Sequence, residues 1–184
     1  MEDALLEARR RDAADPLSGF RRRFHVQPNK LYMDGNSLGL LSRDAESALL
    51  SALAAWREQA VEGWTGAARP WFTMAERVAA RQAGLIGAAP DEVAVTGTTT
   101  GNLHHLLLAL YRPHGRRTRL VGCALDFPSD LYALEAHVRR AGLDPAEHLV
   151  LVGDHDGVVD EDDLIAALDE RAALAVFSAV LYRS

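Results

Sequence analysis

The sequence predicts an α/β domain with a mostly parallel sheet covered by helices. Three observations predict it. From residue 93 onward, short apolar runs alternate with longer segments of helical period: 93–96, 119–125, 148–152 and 173–179 read as strands, and 102–111, 129–141 and 160–170 as the helices between them. The strands are near-continuously apolar, the pattern of strands buried on both faces. Helix punctuation agrees: Gly142 stands where a helix end takes a left-handed residue, and Asp160 stands where a helix start takes an N-cap.

The elements ahead of this region are helical or irregular. Residues 2–14 form a polar helix stopped at Asp15-Pro16, because the residue before a proline is pushed out of the α region. Residues 17–30 look irregular. Leu31-Tyr32-Met33 is a short strand candidate. Asp34-Gly35-Asn36-Ser37-Leu38-Gly39 is a turn whose two glycines imply either positive φ or the close approach of a ligand. From Ser42 a helix follows in which Ala45, Leu49, Leu53 and Trp56 share one face, with Asp44 and Glu46 near its positive end. Residues 63–71 are a loop rich in Gly, Trp and Pro. Thr73-Met74-Ala75-Glu76 has the capping-box pattern and opens a helix to about Ile86, closed by Gly87 and Pro90.

Composition narrows the classes. A chain of 184 residues with 48% hydrophobic residues can bury a real core. A net charge of −6 argues against a nucleic-acid partner, which needs a basic face. Arg9-Arg10-Arg11 and Arg21-Arg22-Arg23 read as solvated helix faces. The single cysteine, Cys123, excludes an internal disulfide and sits in a strand-like run, where it is expected to be buried and inert. No apolar run approaches the length of a bilayer span, and the first 30 residues hold no signal-like apolar stretch. No membrane partner and a cytoplasmic location are expected. All but one of the 20 basic residues are arginine, and the sole lysine is Lys30. The chain stops a few residues past its last strand with no helix after it, so it is expected to be an incomplete piece.

In a parallel sheet the ligand lies at the carboxyl ends of the strands. That rule selects three places: Thr96-Gly97-Thr98-Thr99-Thr100-Gly101-Asn102, Asp126-Phe127-Pro128-Ser129-Asp130, and Ser178. The first is an anion cradle. A helix N-terminus supplies free N–H groups and the positive dipole end, hydroxyls add donors, and glycines let the backbone come close. A phosphorylated ligand is expected there. Phe127 could stack on a planar ligand or plug the core. Ser129 and Asp130 could cap a helix or face a ligand. The G-x-x-x-x-G-K-[ST] and G-x-G-x-x-G patterns are both absent. His104 and His105 occupy different faces of one helix, and Asp154-His155-Asp156 lies in a turn, so no metal site is expected. No Ser-His-Asp set can be assembled.

The ordered set Gly35-Asn36-Ser37-Leu38-Gly39, Arg69-Pro70-Trp71, Thr100-Gly101-Asn102-Leu103-His104, Tyr111-Arg112-Pro113, Phe127-Pro128-Ser129-Asp130 with Tyr132-Ala133, Gly142-Leu143-Asp144-Pro145 and Phe177-Ser178 resembles the kynureninase family. These are pyridoxal-phosphate (PLP) enzymes of the fold-type I aminotransferase superfamily. The resemblance covers about residues 20–184. It implies a three-layer α/β sandwich, the PLP-dependent transferase large domain, incomplete here: residues 71–184 are part of that domain, and 1–70 are an N-terminal helical and loop segment. It implies hydrolysis of L-kynurenine, or its 3-hydroxy form, to anthranilate, or 3-hydroxyanthranilate, and L-alanine, in tryptophan catabolism and NAD biosynthesis. It implies a homodimer at full length.

Position by position, the resemblance places the cofactor phosphate at Thr99 and Thr100 and the pyridine stack at Phe127. Pro128, Ser129 and Asp130 line the cofactor, and Ser178 adds a further contact. Asn36, Ser37 and Trp64 fall near the substrate; Trp64 stands where some members carry histidine. The Schiff-base lysine is implied to lie beyond residue 184, so no catalytic residue is expected in this chain and the chain alone is expected to be inactive. Two alternatives are carried: a class V aminotransferase or cysteine desulfurase-like PLP enzyme, against which the Phe-Pro-Ser-Asp stretch speaks, and a non-catalytic phosphate-binding module.

Overall fold

The computed structural model describes residues 2–153 and 155–182. The chain divides into two compact units, Met1–Ala94 and Val95–Ser184.

The first unit is helical. Helix α1, Glu2–Ala14, is a solvated helix whose Glu7 takes hydrogen bonds from Arg10 and Arg11, both 2.9 Å. Helix α2, Arg43–Gln59, begins where expected, because Ser42 Oγ accepts from the Ala45 N–H at 3.0 Å. No α2 residue is buried, and the face bearing Leu49, Leu53 and Trp56 is largely exposed. A short turn of helix, α3 (Gly63–Gly66), carries the buried Gly63 directly under the Trp71 indole, where a Cβ would collide. Helix α4, Met74–Ile86, closes on Gly87 at φ +72°, a left-handed end that suits glycine.

Four expectations need correction here. Thr73 does not cap α4; its hydroxyl accepts from Arg77 at 2.6 Å instead, and Arg77 also donates to the Pro70 carbonyl. Neither Gly35 nor Gly39 has positive φ, which removes that reading of the loop; the turn is closed by N–H donation from Ser37 and Leu38 to the Asp34 carbonyl. Residues 31–33 and 93–96 are not strands: neither stretch has a neighbouring strand to complete a hydrogen-bond ladder, and composition alone cannot supply one.

The second unit is α/β. In chain order it contains α5 (Thr99–Leu110), β1 (Arg119–Cys123), α6 (Pro128–Arg140), α7 (Pro145–His148), β2 (Leu149–Val152), α8 (Glu161–Ala167) and β3 (Ala172–Ala175). The three strands form a parallel sheet in the order β2-β1-β3. Leu120 pairs with Leu149 on one side and with Leu174 on the other. Helix α5 starts three residues earlier than periodicity suggests because Thr98 caps it, its Oγ accepting from the Gly101 N–H at 3.1 Å. Strand β3 is shorter than expected: Val176 makes a last bond to the Val121 carbonyl, and the chain then leaves the sheet. Gly142 takes φ +76° behind α6, and Asp160 caps α8, both as expected.

The sheet is covered on both faces. On one face Leu120 packs with Leu107 and Tyr111 of the α5 region and with Ala133, Leu134 and Val138 of α6. On the other, Val121, Val152 and Ala172 meet Leu164 and Ala167 of α8. Successive residues of β1 thus serve opposite layers, which is why its sequence is continuously apolar. Gly122 sets how closely α6 lies on β1. A Cβ there would stand 2.7 Å from Leu134 Cδ1 and 3.3 Å from Leu151 Cδ2, so only glycine leaves room for Leu134.

Candidate functional site

The loops after β1 and β3 and the N-termini of α5 and α6 converge on a pocket of about 310 Å³. Thr99, Asn102, Asp126, Asp130 and Ser178 supply its polar groups; Leu103, Leu106, Val176 and Phe177 supply the apolar lining. A parallel sheet forces this arrangement. Each strand delivers its following loop to the same edge, and each following helix begins there.

The α5 end of the pocket is a set of donors. Thr98 Oγ takes the Gly101 N–H, and the Thr98 carbonyl takes the Asn102 N–H at 2.8 Å. The N–H groups of Thr99 and Thr100 make no hydrogen bond among the described residues. With the Thr99 hydroxyl they present unpartnered donors at the positive end of a helix of 12 residues. The Thr96 hydroxyl donates to the Asn102 side-chain oxygen and so ties the incoming chain to the first turn of α5. Unpartnered donors at a helix start fit a phosphate group.

The opposite chemistry comes from the loops after β1 and β3. Asp126 is 5% exposed, and its two oxygens accept from Ser178 Oγ at 2.7 Å and from the Cys123 N–H at 3.2 Å. Asp130 adds a second carboxylate in the first turn of α6. The two helix starts are linked by a long contact, Thr100 Oγ to Ser129 Oγ at 3.4 Å, and Ser129 turns on to Asp130 at 3.3 Å. Cys123 is buried, with its sulfur accepting from the Leu125 N–H, as an inert core thiol does.

A partly buried histidine pair links the same two helices. His104 Nδ1 and His137 Nε2 are 3.0 Å apart, one on α5 and one on α6. Burial, helped by the charges of His104 and Arg140, holds His137 below the ordinary imidazole value. Among the described residues no group of three metal-ligating side chains exists.

Of the residues expected in the site, the structure brings Thr99, Thr100, Ser129, Asp130 and Ser178 to this edge. Phe127 is the N-cap of α6, 55% exposed, with its ring edge-on to Tyr182 at 5.4 Å; it is not a core plug. Pro128 is the first residue of α6, where a proline's missing N–H does no harm. Asn36 and Ser37 lie in the exposed turn of the first unit, and Trp64 lies in α3, edge-on to Trp71 at 6.0 Å. Asp126 and Phe177 are the site residues to which sequence reasoning attached no role. Asp126 was visible as the residue after a strand, but its partner Ser178 is 52 positions away.

No family model matches the chain. Individual relatives do. The chain is 48% identical over 185 aligned positions to a kynureninase of Geobacillus thermodenitrificans, which covers 100% of the chain and 43% of that protein. It is 45% identical to a kynureninase of Shouchella clausii across 96% of the chain and 42% of that relative, and 46% identical to one of Bacillus cereus across 94% and 41%. The chain belongs to the kynureninase family. It spans about two fifths of the length of these kynureninases. The identity runs through both compact units, so the kynureninase relationship includes the helical segment as well as the sheet.

Proposed function

We propose that this chain is part of a PLP-dependent hydrolase that cleaves L-kynurenine or 3-hydroxykynurenine to the corresponding anthranilate and L-alanine. The observation that carries the reading is the coincidence of two independent facts. The relatives that align over the whole chain are kynureninases, and the unpartnered donors of Thr99 and Thr100 open a pocket at the sheet edge where the family's cofactor is expected. We further propose that the second unit is a portion of the fold-type I large domain, a three-layer sandwich, with 71–184 in that domain and 1–70 an N-terminal segment. A homodimer in the complete protein follows from the same reading.

When bound, PLP supplies an electron sink that lets bonds at the substrate's α and β carbons break. What this chain contributes is binding and orientation. The backbone N–H groups of Thr99 and Thr100 and the Thr99 hydroxyl would hold the phosphate, with little reorganisation because Thr98 has already fixed the first turn of α5. Phe127, at the head of α6, is assigned to a ring face of the cofactor from the resemblance. Ser178 and Asp130, both in the pocket lining, would meet the polar rim of the ring. Leu103, Leu106 and Val176 supply apolar lining against which a ring would rest. Asn36, Ser37 and Trp64 are assigned to the substrate side.

Two assays test this. A protein extended to the length of the relatives should release fluorescent anthranilate from L-kynurenine, and the 184-residue chain should release none. Release of sulfide from cysteine with no anthranilate would transfer the protein to the desulfurase branch. Phosphate binding with neither activity would leave a binding module.

A further inference from the structure

Asp126 and Ser178 form one polar unit at the pocket wall. Asp126 is buried and makes no ion pair among the described residues, yet both of its oxygens are engaged: Oδ1 by Ser178 Oγ at 2.7 Å, Oδ2 by the Cys123 N–H at 3.2 Å. The Ser178 hydroxyl donates to Asp126, so its hydrogen is committed there. What Ser178 has left for the pocket is lone pairs. Asp130, also in the lining, is a second carboxyl group, which accepts from Ser129 Oγ. The pocket thus has chemically distinct parts. The α5 start donates, through Thr99 and Thr100, and the loops after β1 and β3 accept, through Ser178 and Asp130. A phosphate oxygen can be held by the first and has no donor to meet at the second.

We propose that Asp126 is a positioning residue that fixes Ser178 as a hydrogen-bond acceptor, so that Ser178 recognises the donor-bearing ring end of a phosphorylated pyridine and not its phosphate. This rests on the cofactor reading above and adds a polarity to it. The same bonds clip the loop after β3 to the loop after β1, so Asp126 shapes the pocket as well as polarising it.

The probes are pyridoxine 5′-phosphate, which has no aldehyde and cannot react with Lys30, and inorganic phosphate. Both are titrated into the 184-residue chain by phosphorus NMR. One neutral hydrogen bond is worth about 0.5–1.5 kcal/mol, so Asp126→Ala and Ser178→Ala should each weaken pyridoxine phosphate by about three- to tenfold. Inorganic phosphate should stay within about twofold, since the donors of α5 are untouched. The double variant should lose no more than either single, because the two residues act through one hydroxyl. Asp126→Asn keeps one carbonyl acceptor for Ser178 and should recover most of the affinity.

Equal losses for both ligands would mean a purely structural role, and additive losses would mean that the residues act separately. Either result overturns the inference, as does an Asp126→Ala variant that binds pyridoxine phosphate like the parent. Should Asp126→Ala fail to fold, Ser178→Ala and Asp126→Asn decide, with the accessibility of the sole thiol, Cys123, reporting whether the β1 loop is intact. If the unsubstituted chain binds phosphate and pyridoxine phosphate but the variants change neither, this inference alone falls. If the unsubstituted chain binds neither probe, the cofactor reading falls with it.

Discussion

Single residues decide how the second unit is punctuated. Thr98 is the clearest case: its hydroxyl satisfies one of the free N–H groups of α5 and leaves those of Thr99 and Thr100 open. Thr98→Ala should cost about 1 kcal/mol in urea unfolding and weaken inorganic phosphate as the first turn frays, whereas Thr98→Ser should restore both. His137 makes a pH-dependent contribution. Its folded value lies below the ordinary 6.5, so the unfolded chain binds a proton more readily than the folded one. The stability it contributes is complete above 6.5 and is lost as pH falls from there through the folded value. His137→Leu should flatten the fall in urea midpoint between about pH 7 and 5, and a variant as steep as the parent would place that titration elsewhere. At this scale the sequence was legible where a residue acts on its own backbone, as with Asp160 and Gly142. It was silent where the partner is remote: nothing local announces that Asp126 meets Ser178 or that His104 meets His137.

Elements were legible in kind and less so in extent. Helices α5, α6 and α8 and the three paired strands stand where apolar period placed them, because each buries a face that the period describes, whereas the one-turn helices α3 and α7 fall in a segment read as loop and in one left unassigned. Residues 93–96 have strand composition and form no strand, since a strand exists only through its neighbour. The α2 face bearing Leu49, Leu53 and Trp56 has the spacing of a core face and is exposed, at 63%, 49% and 66%. Periodicity reveals that a face is apolar and not what covers it. Packing of α6 on β1 gives the sharpest test at this scale. Leu134 is fully buried over Gly122. Gly122→Ala should destabilise by about 1–3 kcal/mol through overpacking, and Leu134→Ala by about 2–5 through a cavity. Because the added methyl would occupy space that Leu134 fills, the double variant should be less destabilised than the sum of the singles in urea unfolding. Strict additivity would show that the two groups do not share that space.

For the whole molecule, the telling fact is chemical asymmetry. The pocket carries unpartnered donors on one side, carboxyl and hydroxyl oxygens on the other and apolar side chains beside them, and no lysine lines it: the chain's only one, Lys30, belongs to the first unit. A cofactor that reacts through an aldehyde needs an amine held at the ring end, and desolvation or a neighbouring cation must lower that amine's pKa before it attacks readily. Lys30 is exposed and precedes the turn at Asn36 and Ser37, in the other compact unit from the pocket residues. Incubating the 184-residue chain with PLP and reducing with borohydride should therefore leave no stoichiometric adduct on Lys30. Lys30→Ala should leave pyridoxine phosphate affinity unchanged. A protein extended to the length of the kynureninases should, under the same treatment, gain one adduct per chain at a lysine outside these 184 residues. Stoichiometric labelling of Lys30, mapped by peptide mass, would instead place a reactive amine within this chain and overturn the assignment of the cofactor's aldehyde end to the remainder of the family's length.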